Sequence, residues 1–415
     1  MVNVAVLGYG VVGSGVVEVI KKNSSSISMR AGETICVKKV LDIRDFPGDP
    51  EKELLTKDAE EVFGDETISI IVETIGGAGI AYEFTRRALQ SGKHVVTSNK
   101  ELVASRGPEL LKMARDNGVY YFYEASVGGG IPIIRPLNQC LAANEINAVT
   151  GILNGTTNYI LTQMKREGKS FEEALKNAQA KGYAEADPTA DVEGHDACRK
   201  IAILSSIAYH QYVDYKKIPT EGISGITVAD MQYAEAMDST IKLVAQSKKI
   251  GDKICARISP AIVAKEHPLA NVEDVFNAIV VSGNALGDAM FYGRGAGKLP
   301  TASAVVADII DIVKHMGLNQ EDVWEVREEE NMMDPGTVEG KYFIRAGTSR
   351  PEEASRRIGE VFGSVEWVKP FQFKIQDELA FVTEKKREDQ LRQTVKDLQN
   401  GSGTLEIRNI IRVLE

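Results

Sequence analysis

The stretch VNVAVLGYGVVGSGV (residues 2–16) decides the fold class. Its first six residues form an apolar run rich in β-branched side chains, as in a strand buried on both faces of a parallel sheet. Gly8, Gly10 and Gly13 follow at GxGxxG spacing, and VVEVIKK (16–22) continues with helical periodicity. In such a turn the first glycine permits the tight bend and the second lets backbone approach a pyrophosphate. The third lets helix pack on strand, and the free N–H groups of the helix start face the anion. A bare GxGxxG is common, but its place between strand and helix gives it weight. The alternative is a glycine turn without a ligand.

Outward from this turn the alternation continues. ICVKKVLDI (35–43) reads as a strand, DAEEVF (58–63) as a short helix and ISIIVETI (68–75) as a strand. IAYEFTRRALQSG (80–92) reads as a helix, and KHVVTSNK (93–100) and VYYFYEASV (119–127) as strands. This predicts an α/β chain whose first domain, residues 1–130, is a doubly wound parallel sheet of the Rossmann type. From 131 to 325 helices mix with short strands at 148–153, 258–264 and 276–283, which reads as an α+β substrate domain. Residues 326–340, VREEENMMDPGTVEG, are acidic and turn-rich and read as a linker. Residues 341–415 then run KYFIRA, PEEASRRIGEVFG, VEWVKPFQFK, ELAFVTE, EDQLRQTVKDLQ and TLEIRNIIRVLE. That is βαββαβ, the ferredoxin-like order.

A chain of 415 residues is too long for one core, so two or three domains are expected. The net charge of −10 argues against nucleic acid but leaves room for a small anion at a local positive patch. The four cysteines lie far apart without a CxxC pair, which fits a reducing compartment and offers no zinc framework. The five histidines lack HxxxH or HExxH spacing, so no catalytic metal is expected. The N-terminus reads as a core strand rather than a leader, and no stretch suits a membrane span. A cytoplasmic protein is expected.

Several constellations point to chemistry. At the end of the second strand Asp42 suits ribose hydroxyls, hence NAD, whereas Arg44, helped by Lys57, suits a 2′-phosphate, hence NADP. Solvated loop charges are the alternative, and the choice stays open. Lys100 and Thr74 stand just past strand ends, where ligands of open α/β sheets bind. Glu124 precedes Gly128-Gly129-Gly130, whose carbonyls suit a hard monovalent cation, although spacing alone favours a hinge. Glu185, Asp187 and Asp191 crowd a turn broken by Pro188, and a helix is expected to start near Val192 or Glu193. Asp196 and Lys200 are four apart and share a helical face. Carboxylates there can grip an amino group and keep a lysine charged. A lysine beside a carbonyl oxygen can pass a proton during hydride transfer, worth roughly 10²–10⁴-fold. The alternative is a surface Asp–Lys pair; the apolar IAILSSIA (201–208) that follows speaks against it. His195 and Glu193 read as structural. GILNGTTNYIL (151–161) reads as a capped helix start that could also face a substrate or an oligomer contact. GRGAGKLPTASAVVADI (293–309) is not a P-loop, since Tyr292 and Leu299 break the pattern, yet its N–H groups could close over a cofactor.

Together these pieces resemble homoserine dehydrogenase over essentially the whole chain. The most specific match is Ala178, Gly182, Tyr183, Asp187, Pro188, Asp191, Val192, Gly194, Asp196 and Lys200 at the family's spacing. VLGYGVVGSGV, SNKELVA, EASVGGGIPII, GILNGTTNYIL and GAGKLPTASAVVADI follow in the family's order. The resemblance implies reversible reduction of L-aspartate 4-semialdehyde to L-homoserine with NAD or NADP, on the route to threonine, methionine and isoleucine. It implies Lys200 as the acid/base, with Asp196 beside it and Lys100 as a second catalytic lysine. Glu185, Asp191, Asp196 and Lys100 would hold substrate. Gly8, Gly10, Val11, Val12, Gly13, Arg44, Thr74, Ser98, Lys100 and Gly297 would line the cofactor. Glu124, Val127, Gly129 and Ile131 would hold a sodium ion, largely by carbonyls. The first domain would be completed by about 295–320, and the substrate domain would form a homodimer or homotetramer.

The last domain resembles an ACT domain, which in this family can bind threonine as inhibitor. GTSRPEEA (347–354), with Pro351, departs from the usual Asp/Gly loop, which leaves threonine regulation and a purely assembling role both open. Two rival readings remain. A semialdehyde dehydrogenase would need a nucleophilic cysteine, for which Cys140 and Cys198 are the available candidates. A nucleotide sensor would bind the cofactor without turnover.

Overall fold

The computed structural model describes residues 1–318, 323–369, 377–400 and 405–415. It opens with β1 (Val2–Leu7), α1 (Val11–Lys22), α2 (Ser24–Ala31), β2 (Ile35–Leu41), β3 (Leu55–Thr56) and α3 (Glu60–Phe63). β4 (Ile68–Glu73), α4 (Gly79–Gln90), β5 (His94–Thr97), α5 (Lys100–Asp116) and β6 (Tyr121–Phe122) follow. Next come β7 (Ile146–Ile152), α6 (Gly155–Glu167), α7 (Phe171–Ala180), α8 (Thr189–Val192), α9 (His195–Ala208) and α10 (Val228–Ala236). β8 (Ser239–Ile250), β9 (Lys253–Ala264), β10 (Phe276–Gly283), β11 (Gly287–Arg294) and α11 (Lys298–His315) complete the middle. The last part holds β12 (Glu339–Gly340), β13 (Tyr342–Thr348), α12 (Pro351–Phe362) and β14 (Val365–Val368). It ends with β15 (Glu378–Thr383), β16 (Lys386–Arg387), α13 (Glu388–Asn400) and β17 (Leu405–Val413).

The six-stranded sheet β3-β2-β1-β4-β5-β6 is parallel throughout. The chain leaves β1 toward β2 and β3, then returns to build β4, β5 and β6 on the other side. Strand order therefore reverses between β1 and β4, the place where open α/β sheets bind ligands past the strands' carboxyl ends. Val4, Val6, Ile70 and Val72 are fully buried, as their unbroken apolar runs require. The same core takes Val16, Val17 and Ile20 from α1 and Ala302, Val305, Ile309 and Ile312 from α11. α1 and α11 approach closely because Gly15 has no side chain: a Cβ there would stand 2.8 Å from the Lys298 carbonyl oxygen.

By compactness the chain divides into two units, residues 1–149 with 199–215 and 279–330, and residues 150–198 with 216–278 and 331–415. A nine-stranded sheet runs β11-β10-β7-β8-β9-β17-β13-β15-β14. Its last four strands are antiparallel neighbours in the ferredoxin-like order, with α12 and α13 packed through Ile358, Phe362, Leu391 and Leu398. The expected strand VEWVKPFQFK is seen at Val365–Val368; residues 370–376 lie outside the described residues, as does Thr404. Pro351 takes the first position of α12, so the helix start lacks one N–H there. Among the described residues, no helix is long and apolar enough to cross a membrane.

Four local expectations are corrected. VYYFYEASV is a strand only at Tyr121–Phe122 and turns into a 3-10 segment at Glu124–Ser126. The Glu124 N–H donates to Asp308 Oδ2 at 2.9 Å, and the carboxylate turns inward, so the strand cannot continue. Residues 326–340 are more than a linker. The Ile254 N–H donates to the Asn331 carbonyl, the Met333 N–H donates to the Ile254 carbonyl, and β12 pairs with β16. β17 also pairs in parallel with β9 at Arg412–Ala261 and Val413–Ile262, so the last domain extends a sheet already present. The helix expected from Val192 or Glu193 begins at His195, after α8 and a left-handed Gly194 with φ +81°. β8 carries buried Ser239, Thr240, Lys242 and Ser247, a polar pattern that hides a strand buried on both faces. Its Lys242 Nζ donates to the Asn158 Oδ1 at 3.2 Å and the Val272 carbonyl at 2.5 Å, and burial pulls its pKa down to about 8.

Candidate active site

At the strand-order reversal the backbone is packed to its limit. Gly8 is left-handed at φ +94°, and a Cβ there would meet the Thr74 carbonyl oxygen at 2.9 Å. A Cβ on Gly13 would sit 1.9 Å from the Gly8 carbonyl oxygen. Gly10, the N-cap of α1, faces open space apart from the Arg44 guanidinium. The turn thus leaves room at the helix N-terminus, where Val11 is 67% exposed and Val12 packs back on the core. The Thr74 hydroxyl donates to the Leu7 and Gly8 carbonyls at 3.0 and 2.9 Å, so it fixes this turn from beneath.

Asp42 and Arg44 are brought together as a pair. Arg44 Nε donates to Asp42 Oδ1 at 2.9 Å and Nη2 donates to Oδ2 at 2.7 Å. The Arg44 and Tyr9 N–H groups donate to the same carboxylate at 2.9 and 2.7 Å. The guanidinium and these N–H groups hold the Asp42 carboxyl well below the usual carboxylate range. Arg44 also lies over the Phe46 ring and remains largely exposed. Lys57 pairs with Asp45 instead, at 2.7 Å.

Ser98 and Lys100 flank Asn99, which caps α5: its Oδ1 accepts the Leu102 N–H at 3.1 Å and its Nδ2 donates to the Gly77 carbonyl at 2.6 Å. Glu73, absent from the sequence-based candidates, lies fully buried beneath these loops. It accepts the Ile75 N–H at 2.7 Å and the Thr97 hydroxyl at 2.6 Å, and burial pushes its pKa up. A lone carboxylate closing the apolar run ISIIV was the available signal. Gly297, at φ +128°, is the N-cap of α11.

The loop after β6 is buried at Val127, Gly128, Gly129 and Ile131. Both Glu124 carboxylate oxygens are occupied: Oε1 accepts the Ile133 and Ile134 N–H groups and Oε2 accepts that of Arg135. Asp308 stands alongside; burial and the Glu124 charge raise its pKa, opposed by Arg135. Among the described residues, no hydrogen bond reaches the carbonyl oxygens of Val127, Gly129 or Ile131. Buried carbonyls ordinarily find a partner, so the donor set suits a hard cation through main-chain oxygens, with the Glu124 side chain excluded.

The acidic cluster assembles on the start of α6. Asn154 caps that helix through Oδ1, which accepts the Thr157 N–H at 2.9 Å. Its Nδ2 donates to Asp191 Oδ1 at 2.7 Å and Asp196 Oδ2 at 2.9 Å. The Thr156 hydroxyl donates to the Tyr183 carbonyl at 2.7 Å, and Tyr183 packs edge-on against Tyr159. GILNGTTNYIL is thus a capped helix start, as read, and also the scaffold of the acidic loop. Asp196 and Lys200 lie one turn apart on α9 and are both buried, at 6% and 9% exposure. Glu193 accepts the Ser224 hydroxyl at 2.9 Å. Glu185 is exposed and lies outside the Asn154 bonds, and Asp187 caps Thr189 locally.

Two family models match this chain: homoserine dehydrogenase, NAD binding domain, over residues 8–124, and homoserine dehydrogenase over residues 132–310. A homoserine dehydrogenase of Bacillus subtilis is 38% identical, over 99% of this chain and 98% of the relative. A homoserine dehydrogenase structure from Thiobacillus denitrificans superposes with a TM-score of 0.89 at 34% identity, covering 100% of this chain and 98% of its own. A hyperthermophilic archaeal homoserine dehydrogenase in complex with NADPH gives 0.65 at 30% identity, over 77% of this chain and 99% of its own. Matched along nearly its whole length by relatives of one kind, and carrying their NAD-binding domain, the chain belongs to the homoserine dehydrogenases, a family of NAD(P)-dependent oxidoreductases.

Proposed function

We propose that the chain reduces L-aspartate 4-semialdehyde reversibly to L-homoserine, toward threonine, methionine and isoleucine. The observation that carries this is the Asp191–Asn154–Asp196 cluster, with Asn154 and Asp196 buried and Asp196 one helical turn before the buried Lys200. A bound nicotinamide dinucleotide supplies or accepts the hydride. Lys200 gives a proton to the aldehyde oxygen as it gains charge, and takes it back in reverse. Asp196, one turn earlier on the same helix, orients that ammonium. Asp191, Asp196 and Glu185 take the substrate's amino group. Lys100, at the start of α5, steers the carboxylate and serves as a second proton carrier.

Gly8, Gly10, Val11, Val12 and Gly13 cradle the pyrophosphate, with Thr74, Ser98 and Gly297 along the same edge. Asp42 is already engaged by Arg44 and Tyr9, which leaves ribose hydroxyls little acceptor capacity. The exposed Arg44 favours a 2′-phosphate, so NADP is the preferred cofactor. The carbonyls of Glu124, Val127, Gly129 and Ile131 hold sodium. Residues 1–130, completed by 295–320, serve the cofactor, and 131–325 serve substrate and assembly into a homodimer or homotetramer. Residues 341–415 act as an ACT-like module. The protein works in the cytoplasm without nucleic acid or membrane partners. The test is an initial-rate assay of NADPH and NADH oxidation with aspartate semialdehyde; absence of turnover with both cofactors overturns the reading.

A further inference from the structure

We propose that Asn154 is a positioning residue that presets Asp191 and Asp196 as one seat for the substrate's ammonium group. The inference rests on the substrate roles given above to those two carboxylates. Asn154 is 5% exposed, and its orientation is fixed by chemistry: only the amide oxygen can accept the Thr157 N–H, at 2.9 Å, and the Thr157 hydroxyl, at 3.1 Å. Nδ2 must then face the carboxylates, and both its hydrogens are used, one on Asp191 at 2.7 Å and one on Asp196 at 2.9 Å. The two N–H directions diverge by about 120°, so the acceptor oxygens stand roughly 5 Å apart. Two carboxylates that close repel, and a shared donor between them offsets that repulsion.

The amide also spans a break in the chain. Asp191 lies in α8 and Asp196 in α9, with the left-handed Gly194 between them. The Asn154 amide thus ties a carboxylate of α8 to one of α9. The cap itself is immobilised from behind. A Cβ on Gly155 would stand 2.8 Å from the Val275 carbonyl oxygen, and Asn158 Nδ2 donates to the carbonyls of Val272, Asp274 and Phe276, each at 3.1 Å.

Asn154→Asp separates positioning from capping. Aspartate caps as well as asparagine, so the Thr157 bond survives, while both donor hydrogens disappear and a third carboxylate enters. The expected result is a KM for aspartate semialdehyde raised about tenfold to a hundredfold, with a smaller fall in kcat. The acid limb of kcat/KM should move to higher pH, with NADPH affinity unchanged by fluorescence titration. Unchanged KM and pH profile overturn the proposal, as does an equal loss of cofactor binding and kcat. Should Asn154→Asp not fold, Asn154→Ser, which also caps, carries the same expectations. Asp191→Asn and Asp196→Asn test the underlying reading separately. If neither raises KM, the seat itself is wrong; if both do and Asn154→Asp does not, only the role of Asn154 falls.

Discussion

The glycine turn at β1 and the acidic cluster at α6 are built in opposite ways. Around Gly8 and Gly13 the backbone does the shaping, and side chains such as Thr74 and Asp42 only brace it. Around Asn154 the side chains do the shaping, and the backbone beneath is ordinary helix and turn. A site made of backbone is intolerant of one added carbon yet indifferent to charge. A site made of side chains tolerates added carbons at its rim and fails when one donor or proton carrier is lost.

Lys200→Ala tests the side-chain region most severely. Turnover should fall roughly 10²–10⁴-fold while NADPH still binds, measured by steady-state rates and fluorescence titration. Survival of turnover removes Lys200 from the chemistry, and loss of NADPH binding would show that α9 supports the glycine turn as well.

Gly13→Ala tests the backbone region. Its Cβ would fall 1.9 Å from the Gly8 carbonyl oxygen, so the turn must open. About 1–3 kcal/mol of stability and most NADPH affinity should go, read from urea unfolding and titration. Gly182→Ala, beside the acidic cluster, is the contrasting case: nothing lies within 4 Å of that Cβ, and only the left-handed φ of +72° is penalised. It should cost about 1–2 kcal/mol and spare cofactor binding.

Acid separates the regions too. His94, at the start of β5, accepts the Tyr120 N–H at 3.0 Å, and burial lowers its pKa from 6.5 to about 4. The unfolded chain takes up this proton first. Stability is therefore whole above pH 6.5 and declines as pH falls toward about 4. The loss reaches roughly 3 kcal/mol at the lower end. His94→Asn should flatten that decline in urea midpoints taken between these pH values. A decline as steep as in the parent would place the acid sensitivity elsewhere.

The smallest effect is expected at Arg44. Arg44→Ala should weaken NADPH about five- to tenfold and leave NADH almost unchanged, since the side chain is largely solvated. Equal loss for both cofactors would mean that Arg44 serves only to brace Asp42.

The backbone region was largely legible in the sequence, because apolar runs and glycine spacing are local signals. β1, β2, β4 and β5 and the turn at Gly8 lie where VNVAVLGYGVVG and its neighbours put them. The side-chain region was legible as composition but not as connection. Glu185, Asp191, Asp196 and Lys200 stand in one short stretch, yet the residue that joins two of them, Asn154, is 37 positions from Asp191. Glu73 and Lys242 were missed because each is a charged residue buried by contacts distant in sequence. Glu124 was read as lying within the strand VYYFYEASV because its turn depends on Asp308, which no local pattern announces.

The presence of α11 in the first core has a bearing on biosynthesis. Val4 and Val6 share that core with Ile309 and Ile312, so the apolar flank of β1 and α1 is uncovered until the ribosome has released about three quarters of the polypeptide. A fragment ending near residue 130 would present that flank to solvent and self-associate, whereas co-expressing residues 279–330 would supply the missing cover. Vectorial folding of this chain is thus not a matter of finishing the amino-terminal half first: the nucleotide-binding half matures late.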